Sequence, residues 1–165
     1  MEFVFEDLGL EHQEDVIRIL NYYIKETTSA YRENEVDKDF FLDLIHGTEY
    51  YCGFAIKNKE GSIVGFCTLE PYMSISTFLE VAEPMYFIDP KYTRLGIGTV
   101  ILNKLENEAR KRGVRKLLVD ISSDNINSIK FHKKNGFAQC GMLQNIGKKF
   151  GRYFSVILME KHIHS

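Results

Sequence analysis

Apolar positions along this chain fall into two alternating periods. Phe3, Val4 and Phe5 open a short strand, after which Val16, Ile17, Leu20, Tyr23 and Ile24 recur on one helical face, predicting a helix over 11–26. Phe40, Phe41, Leu44 and Ile45 repeat that spacing in a second helix, which Gly47 is expected to end. Residues 50–57 and 63–72 read as two strands joined by Asn58-Lys59-Glu60-Gly61-Ser62, a polar, glycine-containing turn that suits a hairpin. A third strand is expected over 80–88. It contains Pro84, which cannot donate a ladder hydrogen bond, so a bulge or splay is predicted there, with backbone groups left open to a ligand.

In the second half, Ile101, Leu102, Leu105 and Ala109 mark one face of a helix over 96–112, ended by Gly113. Leu117 to Ile121 reads as a buried strand, followed by a helix over 125–135 with Asp124 as its expected N-cap and Asn135-Gly136 as its stop. Two more strands are expected near 137–144 and 153–160. No linker, repeat or low-complexity stretch interrupts this order, which predicts one mixed sheet.

Composition narrows the class. At 165 residues, 44% of them hydrophobic, the chain can bury one substantial core, and residues 1–165 are expected to form one domain. A net charge of −2 does not favour nucleic acid as a partner, and 12 Phe with 9 Tyr promise aromatic packing. The start of the chain lacks the basic and apolar segments of a signal peptide, and no apolar run approaches a membrane span, so a cytoplasmic location is expected. Cys52, Cys67 and Cys140 lack CxxC spacing and lie in predicted strands; they are expected to be reduced core residues. No His, Cys or carboxylate spacing suggests a metal.

The segment Asp89-Pro90-Lys91-Tyr92-Thr93-Arg94-Leu95-Gly96-Ile97-Gly98-Thr99 carries a predicted strand into a predicted helix. Such a turn presents unpaired N–H groups and the positive end of the helix dipole, which suits a phosphate or pyrophosphate. By itself Gly96-Ile97-Gly98 fits a tight structural turn equally well. No Gly-Lys-Ser/Thr follows, as a nucleoside triphosphate site would need, and no third glycine completes a dinucleotide fingerprint.

Thr93-Arg94-Leu95-Gly96-Ile97-Gly98, followed by Asp124-Asn125-Ile126-Asn127-Ser128-Ile129-Lys130-Phe131-His132-Lys133-Lys134-Asn135-Gly136-Phe137, resembles the two ordered motifs of the GCN5-related N-acetyltransferase (GNAT) superfamily. Ala82-Glu83, His132 and Gly147-Lys148-Lys149-Phe150-Gly151-Arg152-Tyr153 are similar to its phosphinothricin and methionine sulfoximine branch, as are Leu20-Asn21-Tyr22-Tyr23 and Thr27-Thr28. Thr93 departs from the Gln or Arg usual at that position, and Met73-Ser74-Ile75-Ser76 stands where the branch carries basic residues. The resemblance implies an α/β (α+β) fold with a mixed sheet of about seven strands and about four helices, splayed at an acetyl-CoA site. It also implies transfer of an acetyl group to a small amine, and a homodimer, which the aromatic segment from Phe150 to Phe154 also suggests.

The resemblance assigns roles residue by residue. Arg94, Leu95, Gly96, Ile97, Gly98 and Thr99 would hold the acetyl-CoA pyrophosphate; Lys130, Lys133 and Lys134 could screen its phosphates, although by themselves they fit a solvated helix face better. Tyr86, Phe87 and Ile88 would offer backbone groups to the pantetheine arm and the thioester carbonyl, and Asn125, Asn127 and Ser128 would complete that wall. An attacking amine must lose a proton, for which Glu83 is the candidate base; burial would raise its pKa from about 4.3. His132 could protonate the departing thiolate or take the amine proton. Taken alone, Glu83 also fits a solvated strand face, His132 a satisfied buried histidine, and Asn125 a helix cap. Met73, Ile75, Lys149 and Arg152 are the candidates for contact with the acceptor. A peptide N-terminus as acceptor, and a non-catalytic CoA-binding sensor, stand as alternatives.

Overall fold

The computed structural model describes residues 2–163. Its seven strands are β1 (Val4–Asp7), β2 (Cys52–Lys57), β3 (Ile63–Pro71), β4 (Val81–Ile88), β5 (Lys116–Ser122), β6 (Ala138–Lys149) and β7 (Arg152–His162). Four α-helices accompany them: α1 (Gln13–Glu26), α2 (Lys38–Thr48), α3 (Ile97–Lys111) and α4 (Ile126–Lys134). All strands join one mixed sheet in the order β1-β2-β3-β4-β5-β7-β6. Among the described residues, no helix is long and apolar enough to cross a membrane.

Two apolar layers sandwich the sheet. On one face Ile97, Ile101, Leu102, Leu105 and Ala109 of α3 pack with Cys67, Leu69, Ala82, Leu117, Val119, Ile121, Ile157 and Met159. On the other, Val16, Ile19, Leu20 and Ile24 of α1 and Phe41 and Leu44 of α2 pack on Phe66, joined by Met85 and Phe87. Strand alternation therefore decides which chemistry meets which layer.

The sheet opens in its middle. β3 and β4 stay paired from Gly65↔Ile88 to Pro71↔Ala82. β4 and β5, the only parallel neighbours among the described residues, share just Val81↔Lys116 and Ala82↔Leu117 before they part. The last pair lies two residues before Pro84, which has no N–H to offer. The predicted splay is thus observed, on the β5 side alone.

Four local expectations are corrected. Gly47 lies inside α2 instead of ending it; a Cβ there would come within 3.1 Å of the Glu70 carboxylate, so this glycine gives Glu70 room against the helix. Asn125, not Asp124, caps α4, its side chain accepting from the Ser128 N–H. Cys140 is exposed on β6, whereas Cys52 and Cys67 are buried. β6 also runs to Lys149, beyond the predicted 144, because pairing with β7 resumes at Gly147↔Phe154 after an irregularity at Asn145, whose φ is 49°.

Candidate functional site

The turn between β4 and α3 is the most specialised backbone in the chain. Arg94 and Gly96 both adopt left-handed conformations, with φ of 64° and 80°. Gly96 occupies the N-cap of α3, where it has no side chain to cap the helix, and the first turn holds no acidic residue. The first hydrogen bond runs from the Val100 N–H to the Gly96 carbonyl at 3.4 Å. A helix start of this kind offers free N–H groups and a positive dipole end. Gly98 does a different job: a Cβ there would meet the Phe131 ring at 3.2 Å, so its absence lets α3 and α4 close together.

Beside this turn, α4 presents His132, which is buried. Its Nδ1 lies 2.8 Å from the Ser128 carbonyl and its Nε2 2.7 Å from the Tyr86 hydroxyl. A carbonyl can only accept, so Nδ1 carries the proton and Nε2 accepts from Tyr86. Burial holds the imidazole pKa below its ordinary value, with the Ser128 hydrogen bond acting against that shift. Burial likewise pushes the Tyr86 phenol upward. Both groups are neutral near pH 7. Asn125 is engaged at both ends of its amide, capping α4 and donating to Ser29 Oγ at 2.9 Å. Asn127 is exposed and Ser128 half-buried on the same helix.

Glu83 points the other way. Tyr86 and Ile88 of β4 pack on the α3 layer while Met85 and Phe87 pack on the α1/α2 layer, so Glu83 shares the face of Met85. It stands in register with Glu70 of β3. Asp120 of β5 also faces away from the α3 layer, which takes its neighbours Val119 and Ile121. Glu83 is open to solvent by area, yet protein mass crowds its carboxyl from the other sides. That desolvation, reinforced by Asp120 and then Glu70, raises its pKa to about 7. Desolvation raises Glu70 and Asp120 too.

The segment between α1 and α2 is tied to this face by side chains, some of which the sequence had assigned other roles. Thr28 Oγ1 and Ser122 Oγ are 2.8 Å apart. Tyr31 stacks on Phe154, ring centroids 5.7 Å apart. Lys149 is buried, its ammonium donating to the Thr27 and Ala30 carbonyls at 2.7 and 2.6 Å. Arg152 pairs with Asp124 at 2.8 Å. Met73 and Ile75 lie exposed between β3 and β4. Of the expected acceptor contacts, both cations therefore already have partners within the chain.

Neither buried cysteine is set up as a nucleophile: burial pushes the Cys52 thiol up to about 11 and Cys67 higher still. Two shallow cavities, of about 350 and 430 Å³, lie elsewhere, around Arg18 and Asp89 and around Lys104 and Arg112. In them Arg18 pairs with Asp15 and Asp89, and Arg112 with Glu108. The candidate site is the open seam between β4 and β5, with the uncapped start of α3 on one side and carboxylates on the other.

Comparison with known proteins follows the same outline. The model of the acetyltransferase (GNAT) family matches residues 16–137. An L-methionine sulfoximine/L-methionine sulfone acetyltransferase of Salmonella typhimurium is 24% identical over 147 residues, spanning 88% of this chain and 85% of that protein. A phosphinothricin acetyltransferase from Sinorhizobium meliloti, solved in complex with AcCoA, superposes with a TM-score of 0.92 at 19% identity, over 99% of this chain and 89% of that one. A ribosomal-protein-alanine N-acetyltransferase from Brucella melitensis superposes with a TM-score of 0.89 at 25% identity, over 96% and 99% of the two chains.

Proposed function

The chain belongs to the acetyltransferase (GNAT) family and is an N-acetyltransferase, and from that premise we propose that it transfers the acetyl group of acetyl-CoA to the primary amine of a small molecule, by direct attack with both substrates bound. The observation that carries this reading is the seam itself. β4 loses its β5 partner beyond Ala82↔Leu117, the uncapped α3 turn lies on one side, and Glu83 lies on the other. Similarity to small-molecule acetyltransferases over most of the chain supports the same class of acceptor.

The residues of the turn fit a pyrophosphate. Left-handed Arg94 and Gly96 shape the turn, with no side chain capping α3 and no carboxylate in its first turn to compete for its N–H groups. Acetyl-CoA would supply an acetyl thioester at the seam. Amides of 94–99 hold its phosphates, and the strand edge from Tyr86 to Ile88 pairs with its arm and polarises its carbonyl. Asn127 and Ser128 flank the arm from α4, with Asn125 fixing the start of that helix. Lys130, Lys133 and Lys134 add positive field nearby.

On the opposite face Glu83 accepts the proton of the attacking amine, and a pKa near 7 leaves it half ionised at neutral pH. His132 belongs to the thioester side. Its neutral ring, fixed by Ser128, holds the Tyr86 hydroxyl, which supports a place near the departing sulfur over contact with the amine. Met73 and Ile75 form an apolar rim for the acceptor.

We further read residues 1–165 as one cytoplasmic domain that forms a homodimer. Exposed Met142, Leu143 and Ile146 on edge strand β6, with Phe150 and Tyr153 at its turn, support the second copy. Sedimentation at micromolar concentration should give twice the monomer mass.

Thiol release tests the central reading. With acetyl-CoA and a panel of amino acids, polyamines and peptides, including one with an N-terminal alanine, free CoA should appear only with small amines. Turnover confined to the peptide would shift the function to protein N-termini. Binding without thiol release from any amine would leave a sensor.

A further inference from the structure

We propose that Tyr86 is a positioning residue for acetyl transfer: its side-chain hydroxyl holds the His132 imidazole in one tautomer and one flip state beside the thioester. This inference rests on His132 serving the thioester side of the seam, and it gives the Tyr86 side chain a role separate from that of its backbone.

The two residues come from distant elements, β4 and α4, and meet at 2.7 Å between the Tyr86 hydroxyl and His132 Nε2. The other ring nitrogen, Nδ1, lies 2.8 Å from the Ser128 carbonyl, with the Ser128 hydroxyl 3.3 Å away. One nitrogen is thus engaged by an acceptor on its own helix and the other by a donor on the strand. The carbonyl fixes the proton on Nδ1, and the hydroxyl satisfies the lone pair of Nε2. Among the described residues the Tyr86 hydroxyl has no other hydrogen-bond partner.

Packing alone does not set this orientation. Phe131 and Phe137 stand at 90° and 87° to the imidazole, with centroids 5.3 and 5.0 Å away, and Tyr86 lies tilted beside it at 5.9 Å. Such contacts fix the plane of the ring without telling nitrogen from carbon. A half-turn of the imidazole within that plane would keep its aromatic neighbours and set carbons against the Ser128 carbonyl and the Tyr86 hydroxyl. Two polar groups would then lose their partners, a cost that holds the ring as it stands.

The hydroxyl is also more than packing requires. Tyr86 shares the α3 face of β4 with Ala82 and Ile88, and Phe131 meets its ring edge-on at 6.3 Å. A phenylalanine would fill the same space. A phenol oxygen among apolar neighbours costs desolvation unless it is bonded, and the bond it makes is to His132. With Nδ1 committed to Ser128, Nε2 is the ring nitrogen left to change partner, and it faces the residue whose backbone begins the pantetheine edge. Phe131, packed where Gly98 leaves room for it, ties the pair to the start of α3.

The experiment compares the wild type, Tyr86→Phe, His132→Ala and the double variant, all in the full chain. Isothermal titration reads acetyl-CoA affinity, and thiol release with L-methionine sulfone, putrescine and n-butylamine reads kcat. Tyr86→Phe should lower kcat by about three- to tenfold, the factor that one neutral hydrogen bond supplies, and leave acetyl-CoA affinity within about twofold. In the His132→Ala background the same substitution should cost nothing further, because it acts through the ring. Nitrogen-15 spectra of the imidazole give a readout that a packing role would not move. The wild type should show Nδ1 protonated and Nε2 accepting, and Tyr86→Phe should mix the two tautomers. A wild-type ring protonated on Nε2, an unchanged kcat in Tyr86→Phe, or an equal loss with and without His132 overturns the inference while acetyl transfer stands. Should Tyr86→Phe fail to fold, the wild-type spectrum decides. An unchanged kcat in His132→Ala removes the ring from the mechanism and this inference with it. Absence of thiol release with every amine overturns acetyl transfer as well.

Discussion

On the α3 side of β4, the proposed site is made from backbone: a left-handed Arg94, a left-handed Gly96 and an uncapped helix start. On the α1/α2 side it is made from side chains that meet from distant parts of the chain, with Glu70, Glu83 and Asp120 on three strands and Lys149 reaching back to residues 27 and 30. One half of the site is a local conformation and the other a tertiary accident of register. A phosphate is recognised much the same way in any protein that offers free amides, whereas an acceptor is chosen by whichever side chains happen to line the mouth. On the proposed reading, class of reaction and choice of substrate reside on opposite faces of a single strand.

The comparison is tested hardest at Glu83. Glu83→Gln keeps the shape of the acceptor side and removes its proton acceptor, so kcat should drop by about 10²–10⁴-fold while acetyl-CoA affinity is retained. In the wild type, kcat/KM should rise with pH and level off above about 7, where the carboxylate is ionised. The groups that set that value are the protein around the carboxyl, then Asp120, then Glu70, and the variant should lose this limb of the profile. A wild-type rate in Glu83→Gln, measured at saturating acceptor, would move the base elsewhere.

The phosphate side should fail differently. Gly98→Asp sets a carboxylate in the first turn of α3 and a Cβ against Phe131, so it should weaken acetyl-CoA binding by about tenfold or more, through charge and displacement together. Isothermal titration reads this directly, and Gly98→Ala, which carries the bulk without the charge, separates the two causes. Equal affinities for Gly98→Asp and the wild type, with both folded, would place the phosphates elsewhere.

The difference between the two halves also explains what the sequence could and could not disclose. Strand, glycine turn and helix follow one another within residues 81–111, so their periodicity and the Gly96-Ile97-Gly98 spacing sufficed to locate the turn. Pro84 announced the splay because a missing N–H is a property of the residue itself. Nothing local disclosed that Glu70 would lie opposite Glu83, since register is settled across strands 13 residues apart. Lys149 read as an acceptor contact because a lysine in a polar, glycine-containing stretch normally meets solvent; its carbonyl partners lie more than 110 residues away. Asp124 lost the cap of α4 to Asn125 by one residue, within the ordinary uncertainty of helix ends. The role of Gly47, too, depended on a neighbour in space, the Glu70 carboxylate.

The smallest expected effect is on stability, and it follows from the same carboxylate. Glu83 has a folded-state pKa raised from 4.5 to about 7, so the folded protein binds its proton more readily than the unfolded chain does. Its contribution is fully present below pH 4.5 and is lost as pH rises through about 7. His132 acts in the opposite sense. Its pKa is held below 6.5, so the unfolded chain takes up the proton first and stability falls as pH drops below that value. The two faces of β4 thus pull the pH–stability curve in opposite directions across the same window. Glu83→Gln removes one pull without touching the other. Relative to the wild type, its Tm should rise as pH goes from 4.5 to 8, by a few degrees at most because the carboxyl is open to solvent on one side. A Tm difference that stays constant across that range would mean that Glu83 titrates as it does in the unfolded chain, and that the protein around its carboxyl does not shift it.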